Sequence, residues 1–359
     1  MEYFSNIYIH RQIFDRLTKS IINERLAHSY LFYGSEGTAK ETVAIEFAKA
    51  LNCTNSMSRP CNECSSCIKI SNLNHPDVQF IFPTNNNWTS EDIASRLKRK
   101  AINPYSRIDL AGSTTIQIDR IRELKNQAKY APYEASKRLI IISDADKMSR
   151  ESANAFLKLL EEPPQSMIII LITTEINSLL DTIRSRCQKI YFPYLKFTEA
   201  LSVVQKYHEV DPTLEKIVRI SNANLKMVFD NIDREVDEKR SQVYEYLRAI
   251  ASGNPYLLSE SVDIMAHARD KNYLMEVLNL ITLWFRDAVH LINFGSDADL
   301  INVDFQREMS NFVKAYARSN FEMIFNDIEN AILNVQRNIY SPLLLTVLGI
   351  RIKKNLFRS

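Results

Sequence analysis

Two groups of residues in this sequence have the types and spacing to do chemistry: a cluster of thiols and a glycine-flanked lysine loop. Cys53, Cys61, Cys64 and Cys67 fall within fifteen residues, while the fifth cysteine, Cys187, stands alone. Two overlapping C-x2-C units plus an upstream thiol can close a tetrahedron about Zn2+. With all four positions taken by protein, no site remains for water, so such a zinc would be structural. The loop is Gly34-Ser35-Glu36-Gly37-Thr38-Ala39-Lys40-Glu41-Thr42. It follows a strand pattern and opens a helix pattern, the setting in which backbone N–H groups and a helix N-terminus cradle phosphates, with Lys40 as a point charge.

That loop departs from G-x-x-x-x-G-K-[ST] at two positions. Ala39 stands where the second motif glycine belongs, and its Cβ crowds the loop. Glu41 stands where a hydroxyl would bind Mg2+, and its carboxylate would repel phosphates. Thr42 comes one residue late, about 100° around the helix. Further on, the strand Leu139–Ile142 runs into Ser143 and Asp144. A working ATPase of this type carries a metal-side Asp and then a catalytic Glu there. Both motifs failing together predicts a retained loop that does not bind ATP productively. Arg186, in Ser185-Arg186-Cys187, is either ordinary ion-pair material or a side chain projecting toward a neighbouring subunit's phosphates. The run Arg96-Leu97-Lys98-Arg99-Lys100 reads as a solvated helix face. The six histidines have no ligand or triad spacing, and neither G-x-S-x-G nor H-E-x-x-H occurs.

The elements that must hold these residues follow from hydrophobic patterning. Strand runs such as RLIIISDAD and MIIILITT are strongly apolar and alternate with amphipathic helices, which predicts a parallel sheet covered on both faces. Helices are expected at residues 10–24 and 40–51, over IDRIRELKNQAKYAP closed by Pro132, and over SRESANAFLKLLEE up to Pro163-Pro164. Residues 85–112 have weak periodicity and read as an inserted excursion. Beyond about residue 194 strand runs cease, and helices are expected at 197–207, 212–220, 239–251, 272–294, 308–333 and 340–357. The 359 residues are 45% hydrophobic and 25% charged, with 45 Lys and Arg against 43 Asp and Glu. That balance disfavours a protein coating nucleic acid non-specifically. No apolar run reaches bilayer length and no leader pattern opens the chain, so the expectation is a cytoplasmic protein with reduced thiols and no membrane partner.

Taken in order, RLAHSYLFYGSEGTAK, the four-cysteine module, HPDV, the IDRIREL helix, ANAFLKLLEEPP, LITT and SRC resemble the delta-prime family of bacterial DNA polymerase III clamp-loader subunits, within the AAA+ superfamily. The resemblance runs over residues 1 to about 193; the C-terminal third matches loosely, chiefly through LWFRD at 283–287. It implies an α/β AAA+ domain over 1–193 with the zinc module at 53–67, a small helical lid over 194–236, and an all-helical collar over 237–359. It implies Arg186 as an arginine finger acting in trans on ATP held by the adjacent motor subunit. Gly34, Gly37, Lys40 and Thr42 become the degenerate phosphate loop, and Thr173 and Thr174 fall at the sensor-1 position, which Thr174 is taken to fill. Around Ser221–Lys226 the family's Gly-rich sensor-2 helix start is missing, and Lys226 replaces its Arg. The implied partners are gamma/tau and delta subunits and, through the complex, the sliding clamp and primed DNA. The implied role is a non-catalytic stator; the alternative is an ATP-hydrolysing gamma/tau-like motor, against which Ala39, Glu41 and Ser143 stand.

Overall fold

The computed structural model describes residues 2–4, 7, 9–108, 110, 112–208, 212–232, 236–266, 271–337 and 339–357. Parts of the expected insert (Asp109, Ala111) and of the expected lid (209–211, 233–235) lie outside the described residues. The chain divides into two compact units, Met1–Leu214 with Ser221–Asp230, and Glu215–Ile220 with Asn231–Ser359.

The first unit is built on strands β1 (Glu2–Tyr3), β2 (Ser29–Tyr33), β3 (Ser58–Arg59), β4 (Val78–Ile81), β5 (Arg138–Ile142), β6 (Met167–Thr173) and β7 (Gln188–Tyr191). Five of them form a parallel sheet in the order β4-β5-β6-β2-β7. β1 and β3 make a separate short parallel pair. Every residue of β5 and β6 is buried, as expected of strands covered on both faces. Because β2 lies between β6 and β7, with Tyr30 opposite both Ile170 and Gln188, the chain leaves its carboxyl end into a crevice.

The helices of this unit follow the expected spans, except that the one expected to run to Pro132 covers only Ile118–Gln127. Arg11–Ile22 and Lys40–Asn52 flank β2, and Arg150–Glu161 buries Ala153, Phe156, Leu159 and Leu160 on one face. Ser149 caps that helix by accepting from the Ser152 N–H, and Pro163-Pro164 ends it. One expectation changes: the insert holds a regular helix, Ser90–Ile102. It is started by a capping box in which Thr89 N donates to Asp92 at 2.8 Å and Asp92 N to Thr89 at 3.2 Å. The signal is present as T-x-x-D, but the dense charges after it dilute the apolar period.

The second unit contains the helices Val236–Ser252, Pro255–Ala266, Lys271–Phe294, Gln306–Tyr316, Phe321–Gln336 and Ser341–Leu356 around one core that includes Tyr246, Leu278, Phe285, Ile328 and Leu345. The single helix expected over 308–333 is two, because Asn320 caps a new start by accepting from Met323 N–H. The break is tied down from the chain end, with Asn320 N–H on the Asn355 carbonyl and Ser319 Oγ on that of Leu356. Pro255–Ala266, which is not among the expected helices, starts with Pro255 just after left-handed Gly253. Asp287 of LWFRD is fully buried and accepts from Ile301 N–H and Asn302 N–H, so its role is to hold a turn.

Candidate functional site

The loop after β2 has the backbone its glycines predict. Gly34 and Gly37 have φ of +145° and +72°, and a Cβ on Gly37 would stand 1.8 Å from Asn224 Oδ1. Asn224 Nδ2 donates to the Glu36 carbonyl, and Leu225 N–H to that of Gly37, so the segment after Ser221 is fastened directly onto the loop. Ala39 adopts the left-handed conformation a glycine would take more cheaply. His10 seals the other side, its buried ring donating from Nε2 to the Thr38 carbonyl at 2.8 Å; burial lowers its pKa and favours the neutral form.

Lys40 does not reach outward. Its ammonium is folded into the loop, donating to the carbonyls of Gly34 (2.7 Å) and Ser35 (2.5 Å) and to Thr38 Oγ1 (3.3 Å). Burial pulls its pKa down to about 8, opposed by the nearby carboxylates of Glu41, Asp144 and Asp146. Glu41 turns toward β5, taking a hydrogen bond from Ser143 Oγ and an ion pair from Lys100. Asp144 pairs with Arg107 at 2.8 Å, and Arg107 also meets Glu36. Thr42 points away from the loop and donates to the Pro104 carbonyl at 2.8 Å. Thr173 is buried and donates to Asp146, while Thr174 lines the cavity wall and Lys226 closes the mouth near Glu36. The space left is about 60 Å3, against some 300–1,000 Å3 for ordinary small-molecule pockets.

Lys98 and Arg99 are exposed on the helix as expected of a solvated face, but Lys100 is not, its side chain being 1% exposed. Neither it nor Arg107 was among the predicted site residues. Lys100 is 59 positions from Glu41 and Arg107 is 71 from Glu36, so nothing local in the sequence marks these pairs.

Arg186 lies elsewhere. Its carbonyl accepts from Ser29 Oγ at the start of β2, while the loop follows the strand's other end, roughly 15 Å away at strand rise. Its guanidinium is partly exposed, donating to the Thr182 carbonyl (2.9 Å) and Glu161 (3.0 Å). The side chain is thus held at the end of the sheet remote from this chain's own loop.

The four cysteines do converge. Their sulfurs all lie within 4.8 Å of one another, and thiolates about 2.3 Å from a tetrahedral zinc stand roughly 3.8 Å apart. Backbone N–H groups of Cys61, Cys64 and Cys67 donate to the sulfurs of Cys53, Cys61 and Cys64 at 3.3–3.4 Å, an arrangement that favours negative sulfur. The cluster fits a metal ion held by four protein ligands.

The family model for DNA polymerase III, delta subunit, matches residues 9–196. The chain belongs to this family. Subunit delta' of DNA polymerase III from Bacillus subtilis (strain 168) is 27% identical over 329 residues, spanning 90% of this chain and 89% of that one. Subunit tau from the same organism is 33% identical over 190 residues, 53% of this chain and 29% of its own length. Among solved structures, a gamma subunit-related protein of Thermotoga maritima aligns with 95% of this chain and 99% of its own at 16% identity and a TM-score of 0.44.

Proposed function

We propose that this chain is the delta-prime-type subunit of a bacterial DNA polymerase III clamp loader, a cytoplasmic AAA+ protein that turns over no ATP itself. It assembles with gamma/tau and delta subunits so that the complex loads the sliding clamp onto primed DNA. The observation that carries this reading is the division of labour within one domain. The phosphate-loop cavity is narrowed to about 60 Å3 and lined by the chain's own cations, while Arg186 is presented at the opposite end of the sheet. A guanidinium so placed cannot serve its own loop. It can serve ATP held by a neighbour, and in well-studied GTPases such a finger is worth about 10³–10⁵ in rate. Residues 1–193, 194–236 and 237–359 act in this reading as AAA+ domain, lid and collar. Thr174 keeps the sensor-1 position without a nucleotide to sense. Cys53, Cys61, Cys64 and Cys67 hold a structural zinc.

The test uses the reconstituted complex with gamma/tau and delta subunits. Arg186→Ala should leave assembly intact, as read by gel filtration, and lower DNA-stimulated ATP turnover by at least about tenfold at the site it faces. Loss of assembly with turnover per complex unchanged would sink the finger role.

A further inference from the structure

The inserted segment does something that no motif in the chain assigns to it. All three ammonium hydrogens of Lys100 have an acceptor: the Glu41 carboxylate, the Pro104 carbonyl at 2.7 Å and the Ser106 carbonyl at 2.7 Å. The Pro104 carbonyl also accepts from Thr42 Oγ1, which ties the segment to the helix that begins at Lys40. Seven residues after Lys100, Arg107 spans Glu36 and Asp144. Between the two cations Tyr105 packs its ring on Tyr207 and Phe229.

We propose that residues 100–107 are a built-in occupant of the phosphate-loop cavity, which supply the cations its acids require and hold the domain in one nucleotide-independent state. The departure at Glu41 in the loop and the one at Ser143 after β5 then belong to one network. Glu41 stands where a hydroxyl would bind a metal, and its carboxylate instead accepts from the Lys100 ammonium and from Ser143 Oγ. Lys100 is buried and Glu41 half-buried, so each charge needs a partner, and the partner here is covalently part of the chain. A nucleotide would have to pull Lys100 and Arg107 off Glu41, Glu36 and Asp144, leaving those acids facing its own phosphates. Occupant and nucleotide therefore exclude each other, and the occupant has the advantage of intramolecular concentration.

The test is a double-mutant cycle on the full chain, read by urea unfolding: Lys100→Ala, Glu41→Ala and both together. Each single change should raise the unfolding constant, Lys100→Ala by about 100-fold. The double variant should fall short of the product of the singles by at least about tenfold. Additive effects would overturn the proposal. Should Lys100→Ala not fold, Lys100→Met keeps the packed stem and closes the same cycle with Glu41→Gln. A second readout is amide exchange over residues 100–107 with millimolar Mg-ATP. Unchanged protection is expected, and loss of protection on adding nucleotide would overturn the proposal by making the segment a displaceable lid. Both measurements use the isolated chain, so they stand or fall separately from the trans role of Arg186.

Discussion

Two nearby loop residues separate backbone strain from crowding. Ala39 tolerates φ of +60° with its methyl buried, so a left-handed residue that carries a Cβ can be accommodated in this loop. Gly37, at +72°, differs because a Cβ there would collide with Asn224, which bonds the Glu36 carbonyl and caps Met227 N–H. Gly37→Ala should therefore destabilise by about 2–4 kcal/mol, of which ~1–2 is the left-handed conformation and the rest the displaced asparagine. Urea unfolding checks this, and adding Asn224→Ala should return part of the loss; no recovery would mean that strain alone is responsible. At this scale the sequence is half legible. Gly34, Gly37 and Lys40 announce themselves by spacing over seven residues, and Glu41 and Ser143 by what they replace. Lys100 looks like any basic residue on a helix until the fold brings Glu41 to it.

The segment from Cys53 to Ser71 makes the corresponding point for elements. Its helix, Ser65–Ser71, is too short to be stable alone, and its β3 strand has two residues. A metal ion held by the four convergent sulfurs would supply the order that their small core cannot. The purified chain should contain one zinc. Stripping it with a chelator, or replacing Cys64 with Ser, should lower the first unit's unfolding midpoint by on the order of 10 °C and raise exchange throughout 53–71. A metal-free chain with the same midpoint would refute the structural role. The spacing C-x7-C-x2-C-x2-C makes this element readable without coordinates. The helix Ser90–Ile102 is not, because its buried positions include a lysine whose burial depends on a partner elsewhere, and hydrophobic periodicity cannot count that as apolar. The split between Gln306–Tyr316 and Phe321–Gln336 escapes for a related reason: it is set by the Asn320 cap together with bonds from Ser319 and Asn320 to carbonyls more than thirty residues away.

Across the whole molecule, two units with separate cores need not unfold together. Each carries its own chemical trigger and its own tryptophan. Trp88, beneath the Arg96 guanidinium, belongs to the first unit and Trp284, in the helical core, to the second. The second unit depends on Asp304, which is bonded to Arg240 at 2.5 and 2.6 Å and to Lys216 at 3.2 Å. Burial works to raise the Asp304 pKa, but Arg240 and then Lys216 outweigh it and bring the value down to about 2. Because the folded value lies below the ordinary 3.8, the unfolded chain binds the extra proton. The pair's stabilisation is complete above about pH 4 and is lost as pH falls toward 2. In a Trp88→Phe background, Trp284 should therefore report a unit that weakens through that window, and Asp304→Asn should lower neutral-pH stability while flattening the slope. In the complementary Trp284→Phe background, Trp88 should follow chelation of the cysteine site and be insensitive to Asp304→Asn. One shared transition for both probes, moved equally by chelator and by Asp304→Asn, would mean that the two cores unfold as one.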